Sequence, residues 1–341
     1  MTNKKLKVAQ IGVGGFGAAR RARMRESGLF DLVTCYDRDP QAMAQCRNED
    51  GARPVRTYEE LLATPDIEAV IISTGAKFHA EQAIAAAEHG LHVFVEKPLC
   101  STREEMTALL EVRRRTGVLI GMGHVDHSCD QTSIAIKRLI ESGELGTPVA
   151  FEKTTAHSGG LVMEPDDWRA DPETNPGGML FQCGVHDIHE LIFYFGQVKR
   201  VWSMMRYDVH TTGTADAALC QLEFESGLMG TLNAYHVTPY RHSLCIFGTH
   251  TNIYREDRCF DEGTLLWTQT THLDGQHEPV IPLEAGKEHD PYGNLRSFHQ
   301  AIRENGEPYP SLVDGARAVA VIFAAEESAQ TGKMIELPSI G

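Results

Sequence analysis

Long apolar runs are missing from this chain of 341 residues. Nowhere do about twenty apolar residues follow one another, the length a membrane helix needs, so no span across a bilayer is expected. Positive charge is also short. Lys and Arg number 32 against 47 Asp and Glu, a formal net charge of -15, whereas a surface that follows nucleic-acid phosphates needs clustered Lys and Arg. The single basic run, RRARMR from Arg20 to Arg25, reads as the solvated face of a helix. The eight cysteines, at 35, 46, 100, 129, 183, 220, 245 and 259, include no C-x-x-C pair. That spacing argues against a zinc site or a disulfide framework and fits free thiols in a reducing compartment. No apolar targeting segment precedes the first strand pattern, so the protein is expected in the cytoplasm. Neither an internal repeat nor a low-complexity linker is seen.

What is present is enough chain for two cores. From Lys5 onward short apolar strands such as LKVAQIG, AVIIST and HVFVEKP alternate with helical stretches. One of these carries Pro40 at its first turn, and others stop at Gly28 and Gly90. Strands apolar on both faces, separated by helices, predict an α/β Rossmann fold over residues 1–122, with a doubly wound parallel sheet. Beyond residue 123 the texture changes to longer alternating segments: PVAFEKTTAH, VKRVWSMMR, ADAALCQLEF, LMGTLNAYH and HSLCIFGT. These predict, over 123–341, an α+β domain with a large, open, mostly antiparallel sheet, and a final helix near 313–331.

Between the first strand and first helix stands Gly12-Val13-Gly14-Gly15-Phe16-Gly17. In a G-x-G-x-x-G turn the first glycine permits the tight bend, the second lets backbone approach a pyrophosphate, and the third lets helix pack on strand. Asp37 follows at the end of the second strand, where a carboxylate holds ribose hydroxyls. Its negative charge favours NAD, while Arg38 beside it leaves NADP open, since a guanidinium can pair with a 2′-phosphate. Ser73, Thr74 and Gly75 end another strand on the side where open α/β sheets bind ligands, and His79 either reaches the cofactor or caps its helix.

Glu96-Lys97-Pro98 ends a further apolar strand. A lysine there is either a strand-terminal residue snorkelling to solvent or a group facing the nicotinamide. Together the glycine motif, Glu96-Lys97-Pro98, DWRADP at 167–172, the Gly177-Gly178…His186 segment and the tail at 314–337 resemble the glucose-fructose oxidoreductase, inositol dehydrogenase and rhizopine-catabolism family, Gfo/Idh/MocA. The resemblance covers essentially the whole chain. It implies NAD(P)-dependent redox chemistry on sugars, inositols or related polyols, and a second domain whose open sheet forms a homodimer or homotetramer.

Carried across on matching positions, Lys97 corresponds to the family's catalytic lysine and His186 to its catalytic histidine, with Trp168 and Arg169 lining the pocket. The aspartate often found four residues before that histidine is Gln182 here, and the position often held by Asp three residues after it is His189. GMGHVDHS at 121–128 lacks a frequent arginine. On a helix Gln182 and His186 share a face, so Gln182 is expected to contact substrate without tuning the imidazole as a carboxylate does. His157 and His236, each at a strand end, are candidate contacts for sugar hydroxyls. His186-x-x-His189 and His124-x-x-His127 raise a metal, but no fuller ligand set accompanies them, so none is expected. Two alternatives stay open: an NAD-dependent redox-assisted glycosidase, and a nucleotide-binding regulator that has lost catalysis.

Overall fold

Ala69–Ile72 is buried at all four positions, whereas Ala217–Phe224 buries alternate residues. The first is the texture of a strand covered on both faces, the second of a strand with one face against a core. A computed structural model describes residues 4–165, 167–210, 213–258, 263–271, 276, 278–283 and 290–341. It divides into two compact units. One comprises Met1–Asp126 with Asp290–Ala316, the other His127–His289 with Arg317–Gly341.

In the first unit six strands, β1 (Leu6–Ile11), β2 (Phe30–Tyr36), β3 (Arg53–Pro54), β4 (Ala69–Ile72), β5 (His92–Val95) and β6 (Ile120–Met122), form a parallel sheet in the order β3-β2-β1-β4-β5-β6. The order reverses between β1 and β4, where doubly wound sheets open a crevice at the carboxyl ends of their strands. Helices α1 (Gly15–Ser27), α2 (Pro40–Asp50), α3 (Tyr58–Leu62), α4 (Ala76–Glu88) and α5 (Arg103–Thr116) connect the strands. Their ends are written locally. Asp39 accepts the Gln41 N–H ahead of Pro40, Thr102 and Glu105 form a capping box, and Gly28, Gly51 and Gly117 close helices in left-handed conformations.

The basic run on α1 is not wholly a solvated face. Arg20 and Arg21 are both about 1% exposed. Arg20 pairs with buried Glu96 at 2.5 Å, and Arg21 with Asp50 and, at 3.2 Å, Glu49. Two buried guanidiniums require such partners, and the carboxylates lie too far along the chain for charge patterning to reveal them.

In the second unit α6 (Gln131–Ser142) and α7 (Val185–Phe195) accompany nine strands: β7 (Pro148–Ala156), β8 (Val198–Arg206), β9 (Ala217–Phe224), β10 (Met229–Tyr235), β11 (Arg241–Gly248), β12 (Thr251–Asp257), β13 (Thr264–Thr270), β14 (Ile281–Pro282) and β15 (Ile335–Glu336). Their order is β14-β13-β12-β11-β7-β10-β9-β8-β15, antiparallel except for the β7–β10 pair.

The last stretch of chain returns to the first unit. Helix α8 (Gly293–Glu304) buries Leu295 and Phe298 completely against Leu6, Val8, Met24 and Phe94, so a segment that sequence reading places in the second domain completes the core of the first. Helix α9 (Leu312–Thr331) begins in the first unit and continues in the second. Seven cysteines are free thiols, while Cys259 lies outside the described residues. Among the described residues no helix is long and apolar enough to cross a membrane.

Candidate functional site

In the first unit the glycine loop is shaped by contacts only glycine allows. A Cβ on Gly17 would lie 2.0 Å from the Gly12 carbonyl oxygen, and one on Gly12, at φ +78°, would lie 2.6 Å from the Ser73 oxygen. Gly14 caps α1 without any side-chain hydrogen bond to the first turn, which leaves the helix N-terminus in the form that receives an anion. Asp37 braces this loop. One carboxylate oxygen accepts the N–H groups of Val13 (2.8 Å) and Gly14 (3.2 Å), and the other accepts that of Asp39 (3.0 Å).

A cleft of about 270 Å³ opens here, lined by Gly12, Gly14, Asp37, Arg38, Ser73, Thr74, Gly75, Phe78 and Gln82, among others. Arg38 lies 5.5 Å from the Phe78 ring centre, and Thr74 donates to the Gln82 side chain at 2.7 Å. Glycine backbone, an uncapped helix start and a carboxylate at the end of β2 suit a pyrophosphate and a ribose, so the residues fit a dinucleotide. Phe16 and Gly15 stand exposed on the helix side of the loop.

Two expected cofactor contacts face elsewhere. Glu96 is spent on Arg20, whose guanidinium also lies 4.9 Å from the Phe94 ring. His79 neither caps α4, whose N-cap is Gly75, nor presents a polar atom to the cleft: its two ring nitrogens lie 2.7 Å from the Pro98 oxygen and 2.9 Å from the Thr74 oxygen. Burial lowers its pKa. Lys97, between Glu96 and Pro98, is half-buried.

In the second unit Leu180–Gly184 forms a π-helical turn that runs directly into α7, so Gln182 sits on a wide turn rather than on the first turn of an α-helix. The i→i+5 pairing of such a turn changes which residues align, and π segments recur at functional sites. Gln182, Cys183 and His186 are half-buried, while Asp187, His189 and Glu190 are buried. Gly178, at φ +56°, brings the backbone against Ala215, where a Cβ would come within 2.5 Å of a carbonyl oxygen.

His157 accepts the Gly159 N–H at Nδ1 (2.9 Å), and its Nε2 lies 3.6 Å from the Cys183 sulfur. Its ring meets His236 edge to face at 5.0 Å between centres. Burial first, then the His157 and Arg169 charges, push the His236 pKa down to about 4. The sequence offered His236 as a candidate contact for sugar hydroxyls, and its pairing with His157 is set by neighbouring parallel strands. Arg169 is bound in a fork by the Asp167 carboxylate, and Trp168 next to it is half-exposed.

Beneath this surface lies a charge cluster that sequence reading missed. Lys153 Nζ sits 2.7 Å from Glu190 and 3.0 Å from Asp187, and Arg255 pairs with Glu190 and, at 2.9 Å, with Asp257. Strand alternation held a signal, because Lys153 shares the buried face of β7 with Phe151 and Thr155. His189 belongs to this interior, 5.3 Å from the His127 ring, and not to the half-exposed side with His186. Among the described residues no group of three or more His, Cys, Asp and Glu is arranged to hold a metal ion.

Residues 6–124 match the oxidoreductase family with an NAD-binding Rossmann fold, and residues 134–254 match the GFO/IDH/MocA C-terminal domain. The chain belongs to the GFO/IDH/MocA family. It is therefore an NAD(P)-dependent oxidoreductase of a family that includes inositol and sugar dehydrogenases. It is 30% identical to the scyllo-inositol 2-dehydrogenase (NAD+) of Bacillus subtilis, over 82% of this chain and 80% of that one. It is 26% identical to the 1,5-anhydro-D-fructose reductase of Ensifer adhaerens, over 90% and 91%. Levoglucosan dehydrogenase in complex with NADH shares the fold, with a TM-score of 0.84 at 22% identity, covering 99% of this chain and all of that chain (100%).

Proposed function

We propose that the protein moves a hydride between a hydroxyl-bearing carbon of a sugar, inositol or related cyclic polyol and nicotinamide. The observation that carries this reading is a glycine-and-Asp37 dinucleotide cleft in a chain whose second unit sets Cys183, on the turn that carries Gln182, beside the paired rings of His157 and His236. Hydroxyl-rich rings are recognised by such groups, which both donate and accept hydrogen bonds. The named relatives act on an inositol and an anhydro sugar.

Bound nicotinamide supplies the hydride acceptor. The chain's own residues do the rest. His186 takes the hydroxyl proton, since an imidazole titrates near neutrality. Lys97 is the second expected catalytic group, a donor suited to stabilising an alkoxide as charge develops. Gln182 orients the ring through its amide, and Arg169, Trp168 and His157 supply further substrate contacts. Gln182 in place of a carboxylate brings an amide rather than a charge to that position.

The test offers NAD and NADP with a panel of inositols, aldoses and anhydro sugars and follows reduced cofactor. Lys97→Ala should abolish turnover and keep nucleotide binding. Normal turnover in that variant would remove Lys97 from the mechanism.

The outward face of the nine-stranded sheet supports assembly. By strand register Leu219 stands opposite Met204, and Met229 opposite Glu223 on the same face. These apolar side chains are 40%, 52% and 59% exposed, respectively, a combination suited to pairing with a second copy in a homodimer or homotetramer.

A further inference from the structure

His79 is buried at 1% exposure, yet its two ring nitrogens meet main-chain oxygens of two different loops. Thr74 follows β4 and lines the dinucleotide cleft. Pro98 follows β5 and is the residue directly after Lys97. We propose that His79 is a positioning residue that ties the cofactor-lining loop at 73–75 to the loop carrying Lys97.

Both partners are carbonyl oxygens, which only accept hydrogen bonds. A neutral imidazole has one N–H, so it bonds one loop strongly and turns a lone pair toward the other, while an imidazolium donates to both. Burial opposes the cation, and the nearby Glu96 and Glu105 carboxylates favour it. The ring can therefore shift its bond from one loop to the other by exchanging a proton, without moving. The remaining neighbours are also fixed. Thr74 is held a second time through Gln82 on α4, and Glu96, on the other side of Lys97, is held by Arg20 on α1. Lys97 thus projects from a loop anchored on both flanks, one anchor being a ring that also touches the cofactor-lining loop.

The test separates the two ends of the tie. In Asn the amide nitrogen falls near the place of imidazole Nδ1, so His79→Asn keeps the Pro98 contact and loses that to Thr74. In Gln it falls near Nε2, so His79→Gln keeps Thr74 and loses Pro98. On the full-length protein, NAD affinity is measured by calorimetry, and the rate of Lys97 acetylation by trace acetic anhydride is measured by peptide mass spectrometry without cofactor. His79→Asn should weaken NAD binding roughly 2- to 10-fold, the range one neutral hydrogen bond commands, and leave Lys97 labelling unchanged. His79→Gln should do the reverse, with Lys97 labelling changed by a similar factor and NAD affinity kept. With a substrate in hand, kcat in His79→Gln should fall on the order of 10-fold or more while the KM for NAD holds, because a misplaced reacting group loses rate rather than affinity.

A purely structural histidine would move both readouts together with the melting temperature in both variants, and that result, or no change in either, overturns the proposal. Should neither variant fold, ¹⁵N resonances of the His79 ring in the unaltered protein must shift on NAD addition, and their constancy overturns it equally. The kinetic arm rests on the dehydrogenase reading, whereas labelling and affinity do not. A failure of every polyol to reduce NAD therefore leaves this test intact.

Discussion

Lys153 and Glu190 meet at 2.7 Å with both side chains almost entirely buried, one from a central strand of the nine-stranded sheet and the other from the helix that carries His186. Asp187, next to His186 in sequence, binds the same ammonium at 3.0 Å. Burial would lift the Glu190 carboxyl, but Arg255 and Lys153 hold it well below the usual carboxylate range. The pairing pins one face of α7 and thereby sets the rotation at which His186 emerges.

Removing one member of this cluster leaves an uncompensated buried charge. Lys153→Met is expected to destabilise the protein by about 3–5 kcal/mol, the scale for breaking a buried ion pair. Urea unfolding with an unchanged slope measures it. A loss below about 1 kcal/mol would show that water reaches the cluster.

Stability should fall on acidification. Burial pushes the pKa of His127 down to about 3 and those of His236 and His242 down to about 4. The unfolded chain, with histidines near about 6.5, binds protons first, so this contribution is fully present above that pH and is lost as pH drops toward the folded values. The depressed Glu190 acts in the same direction at lower pH. The urea midpoint should decline from neutrality to pH 4, and His127→Phe should make the decline shallower.

Gly17 has no room for a methyl group. Gly17→Ala places a Cβ 2.0 Å from the Gly12 oxygen, so NAD binding should be lost, as read by calorimetry. Asp37→Ser removes a carboxylate that lines the cleft and also loosens the brace on Val13 and Gly14. Its NAD affinity should drop on the order of 10-fold, and the ratio of NADP to NAD affinity should rise, with Arg38 left to meet a 2′-phosphate.

Assembly through the open sheet predicts that charge on its outward face separates subunits. Leu219→Lys with Met204→Lys should lower the mass found by light scattering to that of a single chain, while the melting behaviour of the fold persists. An unchanged mass would move the contact to another surface.

Much of the fold was legible because it is written over short distances along the chain. The apolar runs of β1, β4 and β5, the spacing Gly12-x-Gly14-x-x-Gly17, the Pro40 start of α2 and the alternation of β9 need only neighbouring residues to be read. Asp37 at the end of β2 and Lys97 after β5 followed from the same local grammar, whereas His186 was singled out by the family resemblance. Where that grammar failed, a partner lay far away. Arg20 looked like a surface cation until Glu96, 76 residues on, took its charge into the core. His79 looked like a cofactor contact or a helix cap until Pro98 and Thr74 claimed its ring. Helix α8 looked like part of the second domain until Leu295 and Phe298 filled the space between Leu6 and Phe94. Gln182 looked like the first turn of an α-helix until the wider π turn set its register. Sequence by itself determined where strands, helices and the dinucleotide turn fall, since backbone propensity and apolar period act between near neighbours. Only the tertiary structure decided which polar side chains are spent inside the protein and which remain for a ligand, because a buried charge or imidazole is satisfied by whatever the fold brings beside it.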